Sequence, residues 1–94
     1  MDKREFEGNL RMQLDKWDAQ INRLRAKADV ASAETRARYH EEIEQLREQQ
    51  RRAERRLDDF NHASDSAWEE MKIGMENAWR DLGDAVDRAT THFK

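Results

Sequence analysis

The chain has 94 residues, with three glycines and no proline or cysteine, and Lys, Arg, Asp and Glu make up 41% of it. This length allows one domain at most, and the composition is typical of long helices and coiled coils. The lack of cysteine excludes disulfides and Cys-based zinc sites, while the net charge of -3 disfavours nucleic acid as a partner.

The first predicted element is a helix over residues 3–60. Apolar or small residues recur there at alternating steps of three and four, which is the period of one helix face. The first part of this stripe is Phe6, Leu10, Leu14, Trp17, Ile21 and Leu24, and the second part includes Tyr39, Ile43, Leu46, Leu57 and Phe60. A single helix of this length would measure about 85 Å.

An alternative interpretation breaks this helix within residues 29–35. The stripe has no large apolar side chain in this segment, and Asp29 or Ser32 could cap a new helix. Such a break would give three helices of nearly equal length, a three-helix bundle. Because the segment has no glycine or proline and is rich in alanine, the strongest helix former, we favour the continuous helix.

A turn is predicted at residues 61–65, followed by a helix over 66–93. Asn61 tolerates the left-handed conformation that ends helices, and Ser66 with Glu69 matches a capping box. The apolar stripe of this last helix contains Trp68, Met71, Met75, Trp79, Leu82, Val86 and Phe93. We expect it to pack against the second part of the first stripe.

The unequal lengths of the two predicted helices predict self-association. A helix over 66–93 covers only half of one over 3–60, so the first part of the long stripe would stay exposed. The expected fold is therefore an all-α helical hairpin or coiled coil, one domain over 1–94. The expected oligomer interface is Phe6, Leu10, Leu14, Trp17, Ile21 and Leu24. A homodimer or higher oligomer would bury it.

A second line of small or apolar residues lies on nearly the opposite side of the first helix: Met12, Ala19, Ala26, Val30, Ala33 and Ala37. Surface alanine raises helix propensity without packing against anything. The alternative is a helix held between neighbours in a higher oligomer.

The polar residues do not form a set that predicts catalysis or metal binding. His40 and Glu44 lie one helical turn apart, but nothing in the sequence supplies a third and fourth ligand. A solvated charged face is the simpler interpretation. His62 and His92 have no catalytic partners in the sequence. We therefore expect no enzyme activity, no cofactor and no metal.

The run "REQQRRAERR", residues 47–56, is the best candidate for a phosphate site. Acidic residues lie at pairing distance along the same helix, and no aromatic residue is interleaved for base stacking. A salt-bridged face against the acidic C-terminal helix is the better interpretation. A membrane surface is also disfavoured, because the polar face of that last helix is acidic whereas interfacial helices carry Lys and Arg.

Three segments together resemble a family of small bacterial coiled-coil proteins that are often described as stress-response proteins. The segments are "QLDKWDAQINRLRAKA", "RARYHEEIEQLREQQRRAERRL" and "AWEEMKIGMENAWRDLGDAVDRATTHF". The most specific element is the pattern AW-x-x-M/L-K-x-G-x-x-x-AW-x-x-L, which is present from Ala67 to Leu82. The resemblance implies a helical, non-enzymatic protein linked to stress.

These observations predict a helical interaction or scaffold protein that self-associates and that binds itself or another protein. No run of eighteen apolar residues occurs, and the start of the chain lacks the apolar stretch of a signal peptide, so we expect a soluble cytoplasmic protein. The alternative function is a peripheral lipid- or envelope-binding protein that uses the Trp and Met face of its last helix.

Overall fold

The computed structural model describes residues 2–93, and it confirms the all-α fold class. Three helices follow one another along the chain: α1 is Lys3–Asp29, α2 is Ala33–Asn61 and α3 is Ala67–His92. They pack side by side into a bundle that measures 51 × 17 × 16 Å.

Contacts at the two ends of the bundle show how the helices run. At one end the Lys3 ammonium donates hydrogen bonds to the carbonyl oxygens of Asn61 and Ala63, at 3.2 and 2.7 Å. At the other end Tyr39 stacks on Phe93 with ring centroids 3.9 Å apart. Hence α1 and α3 run parallel to each other, and α2 runs antiparallel to both.

The helix predicted over residues 3–60 is interrupted, so the continuous first helix is wrong and the three-helix alternative is the architecture observed. Helix α1 ends at Asp29, and Ser32 adopts an extended backbone with φ -61° and ψ 158° before α2 begins. The reason is that burying apolar side chains gains more free energy than continuing the helix. Continuing the helix through alanines gains a few tenths of a kcal/mol per residue, whereas folding back gains about 1.5–3 kcal/mol for each large apolar side chain buried.

All three helices contribute to one hydrophobic core. The buried apolar residues are Phe6, Leu10, Leu14, Ile21, Leu24, Ala28, Ile43, Leu46, Ala53, Leu57, Phe60, Trp68, Met75, Trp79, Leu82, Val86, Ala89 and Phe93. Trp17, Tyr39 and Met71 are partly buried against them. The residues that we expected to join the last helix to the second part of the stripe all lie in or against this core.

The stripe predicted as an oligomer interface is also inside the chain, which corrects that prediction. Five of its six residues are buried, and Trp17 is half-buried. The prediction depended on a first helix twice as long as its partner. The observed helices have 27, 29 and 26 residues, so the length difference does not exist and α2 and α3 cover the stripe.

The turn before α3 lies where it was predicted, but its hydrogen bonds differ from the predicted ones. Ser66 has helical dihedral angles, φ -84° and ψ -33°, and its side chain caps nothing. The Ser64 hydroxyl instead accepts from the backbone N–H of Ala67 at 3.3 Å. Asn61 is the last residue of α2, and no residue of 2–93 has a positive φ. The capping box and the left-handed Asn61 are therefore both wrong.

Candidate functional site

A groove with a volume of about 570 Å³ runs along the side of the bundle between α1 and α3. Its floor, lined by both helices, consists of Phe6, Leu10, Trp17, Trp79 and Gly83. The edge on α1, here called the α1 rim, consists of Asn9, Gln13, Lys16 and Gln20. The edge on α3, the α3 rim, consists of Lys72, Glu76, Arg80, Asp84 and Asp87. Nearly all of the rim side chains are exposed, and they frame an apolar floor.

Two indole rings fix the spacing of α1 and α3 at this floor. The Trp79 indole N–H donates to the carbonyl oxygen of Leu10 at 3.0 Å, and Trp79 is buried. The Trp17 ring lies directly on the backbone of Gly83, where an added Cβ would be 2.9 Å from ring atom Cζ2. Glycine at this position therefore lets the Trp17 ring lie in the groove, half-exposed to solvent.

The rim side chains form no ion pair or side-chain hydrogen bond within the described part of the chain, and Lys72 alone has an internal partner, because its ammonium lies over the rings of Phe6 and Trp68. The six ion pairs that lie within 4.0 Å among residues 2–93 all involve other side chains. The side-chain hydrogen bonds of the same residues likewise leave both rims unused. Apart from Lys72, the rim side chains can thus bind a partner without first breaking an ion pair or hydrogen bond.

The opposite side of α1 is closed by a polar clasp with α2. Arg47 Nη1 donates to Asp18 Oδ1 at 2.6 Å, and Gln50 Nε2 donates to the same oxygen at 2.8 Å. The Gln50 hydrogen bond, followed by that of Arg47, lowers the pKa of Asp18 below its ordinary value. Gln50 is buried, so the clasp fixes the register of α1 against α2. The α1/α3 groove has no equivalent of it.

At one end of the groove, Gln20 carries a buried polar atom without a partner. Its Oε1 has no hydrogen bond and almost no solvent exposure. An unpaired buried acceptor costs about 1–3 kcal/mol. Because this oxygen has almost no accessible surface, a donor in the groove could reach it only after the Gln20 side chain turned toward the groove.

The Trp and Met face of the last helix, predicted as an alternative lipid-binding surface, is turned inward. Trp68, Met75 and Trp79 are buried, and Met71 is half-buried. Trp68 contacts the rings of Phe6 and Phe60, with centroids 6.3 and 6.0 Å away. Within residues 2–93, none of the helices combines the length and apolar character needed to cross a membrane.

The three histidines lie outside the groove. His62 Nδ1 is 2.7 Å from the backbone carbonyl oxygen of Asp58, and the other two each face a single carboxylate. His40 Nε2 is 3.4 Å from Asp29 Oδ1, and His92 Nε2 is 3.6 Å from Glu42 Oε1. Across the described residues, no three Asp, Glu or His side chains converge as metal ligands would.

The arginine run on α2 forms pairs, though not with the predicted partner helix. Arg51 and Arg52 lie 3.0 and 3.6 Å from Glu48 of the same helix, and Arg47 pairs with Asp18 of α1. None of the ion pairs in residues 2–93 joins these arginines to α3. The salt-bridged face is therefore shared with α1 rather than with the acidic last helix.

Sequence reasoning missed the groove and its rims. One signal was present, because Lys72, Glu76, Arg80 and Asp84 recur at steps of four and so follow one edge of a helix. The close contact between Trp17 and Gly83 had no local signal, since these residues are distant in sequence.

Comparisons of this chain with protein-family models, with characterised proteins and with solved structures find no match. The resemblance to a stress-response family thus stays a prediction, and the function has to be inferred from the groove itself.

Proposed function

We propose that this chain is a non-enzymatic helical interaction protein and that the α1/α3 groove is the surface with which it binds a helical partner. The groove runs alongside α1 from Phe6 to Gln20, a length of about 21 Å or four helical turns. Apolar grooves between helices are a common seat for the apolar face of another helix. Helices added on this side would extend the bundle into a four-helix arrangement.

One observation carries the proposal: the apolar floor has polar rims that form no ion pair within residues 2–93. A binding surface needs an apolar centre that gains from losing water and a polar edge that selects the partner. Phe6, Leu10 and Trp79 are already buried within the bundle, so the half-buried Trp17 ring supplies most of the apolar surface that a partner would cover. Tryptophan is among the residues that contribute most to binding free energy. The histidines, which would be the first candidates for acid–base catalysis, lie elsewhere.

A site-specific photo-cross-linker tests the groove directly. A benzoylphenylalanine replaces Gln13 on the α1 rim, and the control variant carries it at Arg38, an exposed residue of α2 that lies outside the groove. Both proteins are expressed in the native host and irradiated. We expect a cross-linked protein from the Gln13 variant and none from the Arg38 variant.

Equal products from both positions, or no product from Gln13, would contradict the proposal. The identity of the cross-linked protein then shows whether the partner is another protein or this chain itself, as a scaffold that self-associates would require.

A further inference from the structure

We propose that the partner in the groove is a second copy of this chain, bound groove to groove about a two-fold axis so that the two α3 helices lie antiparallel. This inference rests on the proposed function and names its partner. The two copies of α1 and α3 would form a four-helix layer whose centre is made by the two apolar floors.

The charges of the α3 rim carry the inference. Going along α3, Lys72 is positive, Glu76 negative, Arg80 positive and Asp84 negative, at one residue per helical turn. Reading the same series backwards inverts every sign. An antiparallel second copy therefore places Glu76 opposite Arg80 and Lys72 opposite Asp84, and the two-fold axis repeats each pair. The fifth rim residue, Asp87, falls opposite Glu69, so one like-charge pair at each end opposes the two opposite-charge pairs. A self-complementary patch of this kind is what a two-fold interface requires.

The charges of this series form no ion pair within α3 in the described structure, although Lys72 lies over the Trp68 ring of the same helix. None of the three successive pairs of this series lies within the 4.0 Å of an ion pair. In two of the three steps, Lys72 to Glu76 and Arg80 to Asp84, the basic residue comes first, which is the weaker order for pairing within a helix. The alternation is thus better suited to a neighbouring helix than to its own.

The α1 rim raises no obstacle to this arrangement. Two contacts give the register of α1 against α3: Lys72 Nζ lies 5.7 Å from the Phe6 ring centroid, and Trp17 touches Gly83. Each residue of α3 therefore lies beside the residue of α1 that precedes it by 66 in sequence. A two-fold axis midway between Glu76 and Arg80 thus crosses α1 near residue 12. Rotation about that axis brings Lys16, the one charged residue of the α1 rim, opposite residues 8 and 9, which are uncharged. Like charges therefore do not meet along α1.

The size of the contact indicates a weak dimer. A face about 21 Å long on a bundle about 17 Å wide is smaller than the roughly 800 Å² per partner of a standard interface. We expect sedimentation velocity to show a monomer at about 10 μM and a growing dimer fraction between about 0.1 and 1 mM. The dimer should weaken as salt rises from about 0.01 to 0.5 M, because exposed charge pairs are screened.

Two charge reversals test the pairing. Either Glu76→Arg or Arg80→Glu alone places like charges opposite each other twice per dimer and should weaken self-association about tenfold or more. An equimolar mixture of the two single variants restores opposite charges at every pair and should form a mixed dimer. The double variant Glu76→Arg/Arg80→Glu also restores them and should self-associate like the original chain.

Three results would overturn the inference: a monomer at about 1 mM in low salt, single variants that self-associate unchanged, or a mixture that associates no better than its components. Circular dichroism of each variant checks that the helices are intact. The mixture is a second check, because two misfolded variants would not regain association when they are mixed. If the inference fails while the photo-cross-linker at Gln13 captures a different protein, the proposed function survives without it. If Gln13 captures nothing in the native host and the purified chain also stays monomeric at about 1 mM in low salt, both fail.

Discussion

The Trp79 indole N–H donates a hydrogen bond to the carbonyl oxygen of Leu10, at 3.0 Å, and so joins α3 to α1 at the floor of the groove. Both residues are buried, so water cannot replace this bond. The bond joins two parallel helices at positions 69 residues apart in sequence.

Removing that hydrogen bond while keeping an aromatic ring should destabilise the bundle measurably. Trp79→Phe loses ring area and the bond to Leu10, whereas the control Trp68→Phe loses similar ring area in a cluster of aromatic contacts. We expect urea unfolding to show a free energy loss for Trp79→Phe that exceeds the control by about 0.5–1.5 kcal/mol. Equal losses would mean that the bond contributes nothing to stability.

The glycines of α3 offer a matched pair of substitutions. A Cβ at Gly74 meets nothing within 4 Å, so Gly74→Ala should stabilise the helix by about 0.8–1 kcal/mol. At Gly83 the same gain is offset because the Trp17 ring must move. Thermal unfolding should therefore rank Gly74→Ala above Gly83→Ala, and Trp17 fluorescence, measured with Trp68 and Trp79 replaced by Phe, should change only with Gly83→Ala. A gain at Gly83 as large as that at Gly74 would contradict the close contact.

The start of α3 depends on Ser64. Its hydroxyl accepts from the N–H of Ala67, while Ser66 caps nothing. Ser64→Ala should lower the free energy of unfolding by about 1 kcal/mol, and Ser66→Ala should change it little. Chemical denaturation of the two variants decides between Ser64 and the capping box that the sequence suggested, which predicts the reverse order.

The clasp between α1 and α2 predicts a loss of stability in acid. The folded-state pKa of Asp18 is held below its ordinary value of 3.8, first by the hydrogen bond from Gln50 and then by Arg47. A carboxyl with a lowered pKa stabilises the fold at pH values above 3.8, and this contribution disappears as the pH falls through 3.8 and the lowered pKa.

Asp18→Asn should therefore flatten the acid side of the stability profile measured by urea unfolding. Glu48→Gln is the control, because the pKa of Glu48 is also lowered, chiefly by the Arg51 hydrogen bond. Its partners Arg51 and Arg52 are exposed residues of its own helix, whereas Asp18 accepts a hydrogen bond from the buried Gln50 of another helix. We expect a smaller change there. A profile with the original slope in Asp18→Asn would rule out a role for the clasp.

The sequence predicted the apolar positions well because the helical period repeats without exception along each helix. Gln50 is instructive, because it occupies a core position of the stripe and is buried, with its amide satisfied by Asp18 and Arg47. The helical period predicts that Gln50 is buried. It does not predict the partners of Gln50, because the same period places Asp18 and Arg47 on the surface.

The sequence did not predict where the chain folds back. Local signals at residues 29–35 were divided between alanine, which favours a helix, and Asp29 or Ser32, which favour an end. The choice is made by the burial of Phe6, Leu10 and their neighbours against α2 and α3, a gain that only the three-dimensional packing reveals. The groove was missed for the same reason, since it exists only once α1 and α3 lie side by side.

The chain reversal between α1 and α2 also creates the groove. The most direct measure of this reversal is the distance between the start of α1 and the end of α2, which it brings together. The chain has no cysteine, and Arg4 and His62 are exposed, so a spin label can be attached at each through Arg4→Cys and His62→Cys. Lys3 contacts the carbonyls of Asn61 and Ala63. Pulsed electron paramagnetic resonance should therefore give a distance between the two labels that is close to or below the shortest distance the method measures. An excess of unlabelled chain should not change this distance, because both labels belong to the same molecule. A distance approaching the roughly 85 Å of a continuous helix, or a short distance that vanishes on dilution with unlabelled chain, would contradict a bundle closed within one chain.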